Sequence, residues 1–155
     1  MSDVLEAIYR GERDEAERLA VGRELDIFEA SALGRTGRVR DLVDADPSLA
    51  NAWAADGFQP LCLTSFFGHA ETARVLVEHG AEVNSASRNP MRVMPLHSAA
   101  AAHDPAVRYA IAELLLDAGA DPNARQQDDY TPLMAADQHG DARLRDLLVA
   151  HGATG

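Results

Sequence analysis

The sequence predicts an all-α fold, a solenoid of stacked helix-turn-helix units joined by short β-turn fingers. Pro60-Leu61, Pro95-Leu96 and Pro132-Leu133 open three segments at intervals of 35 and 37 residues. Gly80-Ala81, Gly119-Ala120 and Gly152-Ala153 close them at intervals of 39 and 33 residues. Self-similarity at a period of about 20–50 residues marks a stacked repeat array. The chain has 155 residues, 46% of them apolar, enough to fill one elongated core. Residues 1–155 therefore read as a single domain of five units: 1–25, 26–54, 55–87, 88–125 and 126–155.

In the first unit Leu5, Ile8 and Tyr9, then Ala16, Leu19 and Ala20, form the apolar faces of two short helices broken at Gly11. Charged residues from Glu6 to Arg18 cover the other faces, as suits an end unit with a neighbour on one side only. Asp26 and Glu29 have the spacing of a capping box and start a helix that ends near Gly34. A partner helix carries Val39, Leu42 and Val43 and stops before Pro47. The third unit predicts helices over roughly 60–67 and 70–79. The fourth spans 24 residues from Pro95 to Gly119, against 20 in its neighbours, and the extra four are expected at the break around Ala101–Pro105. The fifth runs from Pro132 to Gly152, with Asp141, Arg143, Arg145 and Asp146 on an outer face that suits an end cap. Asn51, Asn84 and Asn123 fall in register.

These residues resemble the ankyrin repeat. The matches are Asp56-Gly57, Pro60-Leu61, Gly68-His69, Val75-Leu76 and Gly80-Ala81-Glu82-Val83-Asn84 in the third unit. The fourth has Pro95-Leu96-His97, Ala99-Ala100, Leu114-Leu115 and Gly119-Ala120-Asp121-Pro122-Asn123. The fifth has Thr131-Pro132-Leu133, Gly140, Leu147-Leu148 and Gly152-Ala153. Proline suits a first helical position because its missing N–H has no helical partner there. Thr131 can cap its helix, and the closing glycines can take the left-handed backbone that ends one. Gln59 and Met94 stand where the pattern has a capping Thr, and Cys62 and Met134 where it has His. Those units are expected to be less tightly tied at their turns.

The resemblance implies a non-enzymatic module that binds a protein or peptide on its concave face, through variable positions of fingers and inner helices. Fingers fit between Asn51 and Pro60, Asn84 and Pro95, and Asn123 and Pro132, while the first is expected to be absent. One equivalent finger position holds Phe58, Val93 and Tyr130. Trp53, Arg88, Met91 and Arg92 add bulk and positive charge nearby. The matching inner-helix pairs are Phe66-Phe67, Ala101-Ala102 and Gln138-His139. Aromatic and Arg side chains are favoured interface anchors. The competing reading is that Trp53, Phe58 and Phe66 pack between units, and that Arg88 and Arg92 are solvated or paired with Asp128 and Asp129. A stack of this kind is expected to offer a long surface without a deep pocket.

A formal net charge of −11 argues against nucleic acid or an anionic membrane as partner. All 14 basic residues are Arg. No apolar run could span a bilayer, and the N-terminal stretch lacks a signal peptide's apolar core, so a cytoplasmic protein is expected. The single cysteine, Cys62, excludes an intrachain disulfide. His69 and His97 match structural positions of the family, and His79 and His151 each precede a closing Gly. His103 with Asp104 is the one unassigned pair. No metal or cofactor is expected, and no His-Glu-x-x-His, phosphate loop or nucleophile elbow is present. The alternatives are an enzyme or metal-dependent small-molecule binder built on His97, His103, Asp104 and Cys62, and a self-associating structural protein in place of a monomer.

Overall fold

The computed structural model describes all residues, 1–155. It contains ten α-helices and no strand: α1 (Asp3–Tyr9), α2 (Arg13–Ala20), α3 (Ile27–Leu33), α4 (Thr36–Ala45), α5 (Pro60–Phe67), α6 (Ala70–Glu78), α7 (Pro95–Ala101), α8 (Pro105–Asp117), α9 (Pro132–His139) and α10 (Ala142–Ala150). Consecutive helices pair as antiparallel hairpins. Helices α1, α3, α5, α7 and α9 pack in sequence as an inner row, and α4, α6, α8 and α10 as an outer row. No helix is long and apolar enough to cross a membrane.

Spacing decides which faces meet. Val39 and Val43 on α4, Ile111 and Leu115 on α8, and Leu144 and Leu148 on α10 are fully buried. Residues four apart share one helix face, so each outer helix turns one apolar stripe onto the inner row. Leu61, Leu96 and Leu133 follow the opening prolines and are buried as well. Burying a Leu or Val side chain contributes about 1.5–3 kcal/mol, and the core runs unbroken from Val4 to Ala153.

The helix ends follow local chemistry. Asp26 and Glu29 form the expected capping box on α3, and Asp104, Thr131 and Asp141 cap α8, α9 and α10 through their side chains. Gly34, Gly68 and Gly140 end α3, α5 and α9 in the left-handed backbone. The fourth unit differs from expectation. Its break is only residues 102–104, and the extra length lies in α8, which has 13 residues against 9 in α6 and α10. The Asp104 cap and Pro105 at the first helical position start α8 early. The three aligned asparagines are cross-links between units. Asn51, Asn84 and Asn123 each donate to the carbonyl of the next closing glycine and accept from a backbone N–H beyond it, all at 2.8–3.0 Å.

Candidate functional site

Each finger is a turn closed on itself and tied to its neighbour. In the second, Phe58 O accepts from Ala54 N–H (2.8 Å); in the third, Val93 O accepts from Ser87 N–H (2.8 Å); in the fourth, Tyr130 O accepts from Gln126 N–H (3.0 Å). Arg88 N–H donates to Gly57 O and Gln127 N–H to Met91 O, both at 2.9 Å, which joins the three side by side. A Cβ on Gly57, whose φ is +90°, would lie 2.4 Å from the Arg88 carbonyl oxygen, so that joint requires glycine. The first finger is absent, since only residues 21–26 link α2 to α3.

Fingers and inner helices enclose an apolar groove of about 410 Å³. Its floor is Cys62 and Leu63 of α5 with His97 and Ser98 of α7, all buried. Phe58, Met91, Gln126 and Tyr130 line the finger side. Tyr9, Phe66, Phe67 and Ala101 line the other. The Tyr9 ring stacks on Phe67 with centroids 6.0 Å apart, and its hydroxyl donates to Asp56 Oδ2 at 2.8 Å. Burial and that carboxylate push the Tyr9 phenol up from its ordinary range. Phe66 meets Phe67 edge to face at 5.1 Å. A second hollow of about 410 Å³ adjoins it across Phe66, Phe67 and Ala101, lined further by His103, Asp104, Val107 and His139. Where a long surface without a deep pocket is expected, the structure has two adjoining open hollows, with small residues such as Ser98 and Ala101 between aromatic walls.

The candidate residues separate into groups. Phe58, Phe66, Phe67, Met91, Val93 and Tyr130 line the groove together, and Phe66 (49%) and Met91 (47%) are well exposed. Val93 is not an exposed anchor. It is 7% exposed, because its N–H and C=O are both tied to Ser87 at the finger's base. Trp53 and Arg88 lie outside the groove, with the guanidinium 4.0 Å from the Trp53 ring centroid. Arg92 is exposed beside Met91 at φ +51°. Neither Arg88 nor Arg92 pairs with Asp128 or Asp129, because their carboxylates lie beyond 4.0 Å. Gln138 accepts from the Tyr130 hydroxyl at 2.5 Å, and His139 faces the adjoining hollow. Tyr9, Leu63, Ser98 and Gln126 also line the groove, although the repeat pattern does not mark them as contact positions. An aromatic ending a charged cap helix was the one signal available for Tyr9.

His97, His103, Asp104 and Cys62 do not form one constellation. His97 Nδ1 accepts from Met94 N–H (3.3 Å), and Nε2–H donates to Ala124 O (3.0 Å) and Tyr130 O (3.1 Å). Burial pushes its pKa below the ordinary histidine value. The same effect pushes the Cys62 thiol up to about 12, which keeps it a thiol and not a nucleophilic thiolate. Asp104 is engaged as the α8 cap. No three His, Cys, Asp or Glu side chains are grouped to hold a metal ion. Of the turns expected to be loose, the third unit's is held by Gln59 Nε2 donating to Asn51 O at 3.0 Å, and the fourth's by His97.

Residues 27–126 match the family described as Ankyrin repeats (3 copies). The chain is 30% identical over 118 residues, 74% of its length, to the ankyrin repeat protein YahD of Escherichia coli (strain K12). It is 29% identical over 109 residues, 70% of its length, to rat Ankyrin repeat and SAM domain-containing protein 6. It is 28% identical over 125 residues, 81% of its length, to Ankyrin repeat, SAM and basic leucine zipper domain-containing protein 1 of Dasypus novemcinctus. The aligned stretches span 57%, 12% and 26% of those relatives, respectively.

Proposed function

The chain belongs to the ankyrin-repeat family, and on that premise we propose that it is a non-enzymatic binding module that seats a protein or peptide in its aromatic groove. Ankyrin repeats are in general protein–protein interaction modules, and this is the coarse function of the chain. The finer reading is supported by one observation above all, the groove of about 410 Å³ walled by Phe58, Phe66, Phe67, Met91 and Tyr130. Aromatic and Met side chains bring large contact area with little polar surface to desolvate, which is what concentrates binding energy at an interface. The backbone links between fingers hold the walls in place before the partner arrives, which lowers the entropic cost of association.

The test is affinity capture with the wild-type chain and a Phe58→Ala/Arg92→Ala/Tyr130→Ala variant shown to be folded by circular dichroism. A protein retained by the first and lost by the second supports the reading. Equal retention by both overturns the groove as the site.

A second reading has one observation in its favour. The groove's volume falls within the roughly 300–1,000 Å³ of small-molecule pockets, so a small apolar ligand would also fit. Displacement of a bound anilinonaphthalene dye without any captured protein would favour it. A monomer acting in the cytoplasm completes the proposal, and light scattering at rising concentration tests the monomer.

A further inference from the structure

We infer that the groove receives a linear peptide in which a bulky apolar anchor is flanked by carboxylates, the anchor entering between Phe66 and Met91 and the carboxylates meeting the fingers' arginines. This rests on the protein-binding reading above and adds the chemistry of the partner. The charge pattern carries it. The whole chain is at −11, yet residues 83–94 hold Arg88 and Arg92 and no acidic residue. Arg92 follows Met91 at the groove's lip, and Arg125 precedes Gln126 on its wall.

Eight other arginines are paired with carboxylates: Arg10, Arg13, Arg18, Arg23, Arg35, Arg74, Arg108 and Arg145. The remaining six have none within 4.0 Å: Arg88, Arg92 and Arg125 stand on the fingers, and Arg38, Arg40 and Arg143 on the outer helices α4 and α10. Stacking on Trp53 holds Arg88 in place without using its N–H groups. The opposing carboxylates on the fingers are Asp56, engaged by the Tyr9 hydroxyl and Phe58 N–H, and the exposed Asp128 and Asp129. The fingers are therefore balanced in charge on an otherwise acidic molecule. An acidic segment is repelled elsewhere and attracted at the third finger, which fixes its direction along the groove. On the floor, the 4% exposed Ser98 offers a hydroxyl to a peptide backbone group.

The experiment is selection of random linear peptides against the full chain, followed by fluorescence anisotropy on the recovered sequences. The expected result is enrichment of Asp and Glu on one side of an aromatic or branched aliphatic residue. Such peptides should bind about tenfold more weakly to an Arg88→Glu/Arg92→Glu variant and more weakly to wild type as salt rises. Phe66→Ala/Met91→Ala, both exposed and harmless to the core, should lose them. Peptides with an apolar anchor but no acidic enrichment, or indifferent to the charge reversal, overturn this inference and leave the binding reading intact. No enrichment, or binding that survives Phe66→Ala/Met91→Ala, overturns both.

Discussion

At Gly34 the backbone φ is +72°, and a Cβ there would lie 2.4 Å from His69 Nδ1. The imidazole packs over the glycine while its Nε2 meets Ala32 O at 2.8 Å, tying the third unit to the second. Gly34→Ala should therefore cost about 1–3 kcal/mol from the left-handed backbone alone, with further loss as the ring is displaced, read as a lower urea midpoint. Protonation follows the same contacts. Burial, first among the causes, pushes His69 and His97 below the ordinary value of 6.5. As pH falls below 6.5 the unfolded chain takes up protons that these folded sites refuse, so stability drops. His79 is pushed up instead, by its bond to the Val75 carbonyl and then by Asp44. Its contribution is complete below 6.5 and fades as pH rises through its folded value. Urea midpoints across pH should show His97→Asn reducing the acid loss, and His79→Gln lowering the midpoint more at pH 6 than at pH 8.

Among the elements, α8 departs most from its neighbours, and Arg108 is what makes the departure stable. The turn before it ends in Ala102 with φ −60° and ψ 149°, with no left-handed glycine to close the helix. The buried Arg108 guanidinium donates to Ala102 O (2.9 Å), His103 O (3.3 Å) and Asp141 Oδ2 (3.1 Å). Asp141 in turn accepts from Leu144 N–H as the α10 cap. One side chain thus closes the α7–α8 turn and anchors the next hairpin. Arg108→Ala would leave a buried carboxylate without its cation, and breaking such a pair costs about 3–5 kcal/mol. Chemical denaturation should show that loss, whereas Arg145→Ala, at an exposed pair with Asp137, should change stability by about 1 kcal/mol or less.

Across the whole molecule, the extensive helix contacts join neighbouring hairpins, so stability is distributed along the stack. Leu148→Ala removes a fully buried side chain from the last hairpin and should cost about 2–5 kcal/mol. Native-state hydrogen exchange should then rise in α9 and α10 while α3–α6 stay protected; uniform loss of protection would mean that the stack opens as one unit. The groove is also a property of the assembly. Tyr9 comes from the first hairpin and meets Asp56 and Phe67 of the third, across the place where a first finger would stand. Tyr9→Ala should open that end and raise dye binding, while Tyr9→Phe keeps the stack and loses only the hydroxyl bond.

The in-phase prolines, glycines and capping residues were sufficient to place the helices, and the histidine ties and absent first finger were legible too. Those signals act within one or two turns of helix, so their consequences follow wherever the chain goes. The four extra residues of the fourth unit fit either the break or the helix by local pattern, and the Asp104 cap with Pro105, held by the Arg108–Asp141 contact across 33 positions, puts them in the helix. Exposure of the finger residues was likewise beyond the pattern: Phe58, Val93 and Tyr130 share one repeat position, yet Val93 is buried and the other two are half-buried. Local residue pattern is enough to specify a stack of helix pairs and how each one starts and stops. The groove and the side chains that wall it emerge in the folded stack alone, because a hollow arises from how the units settle against one another.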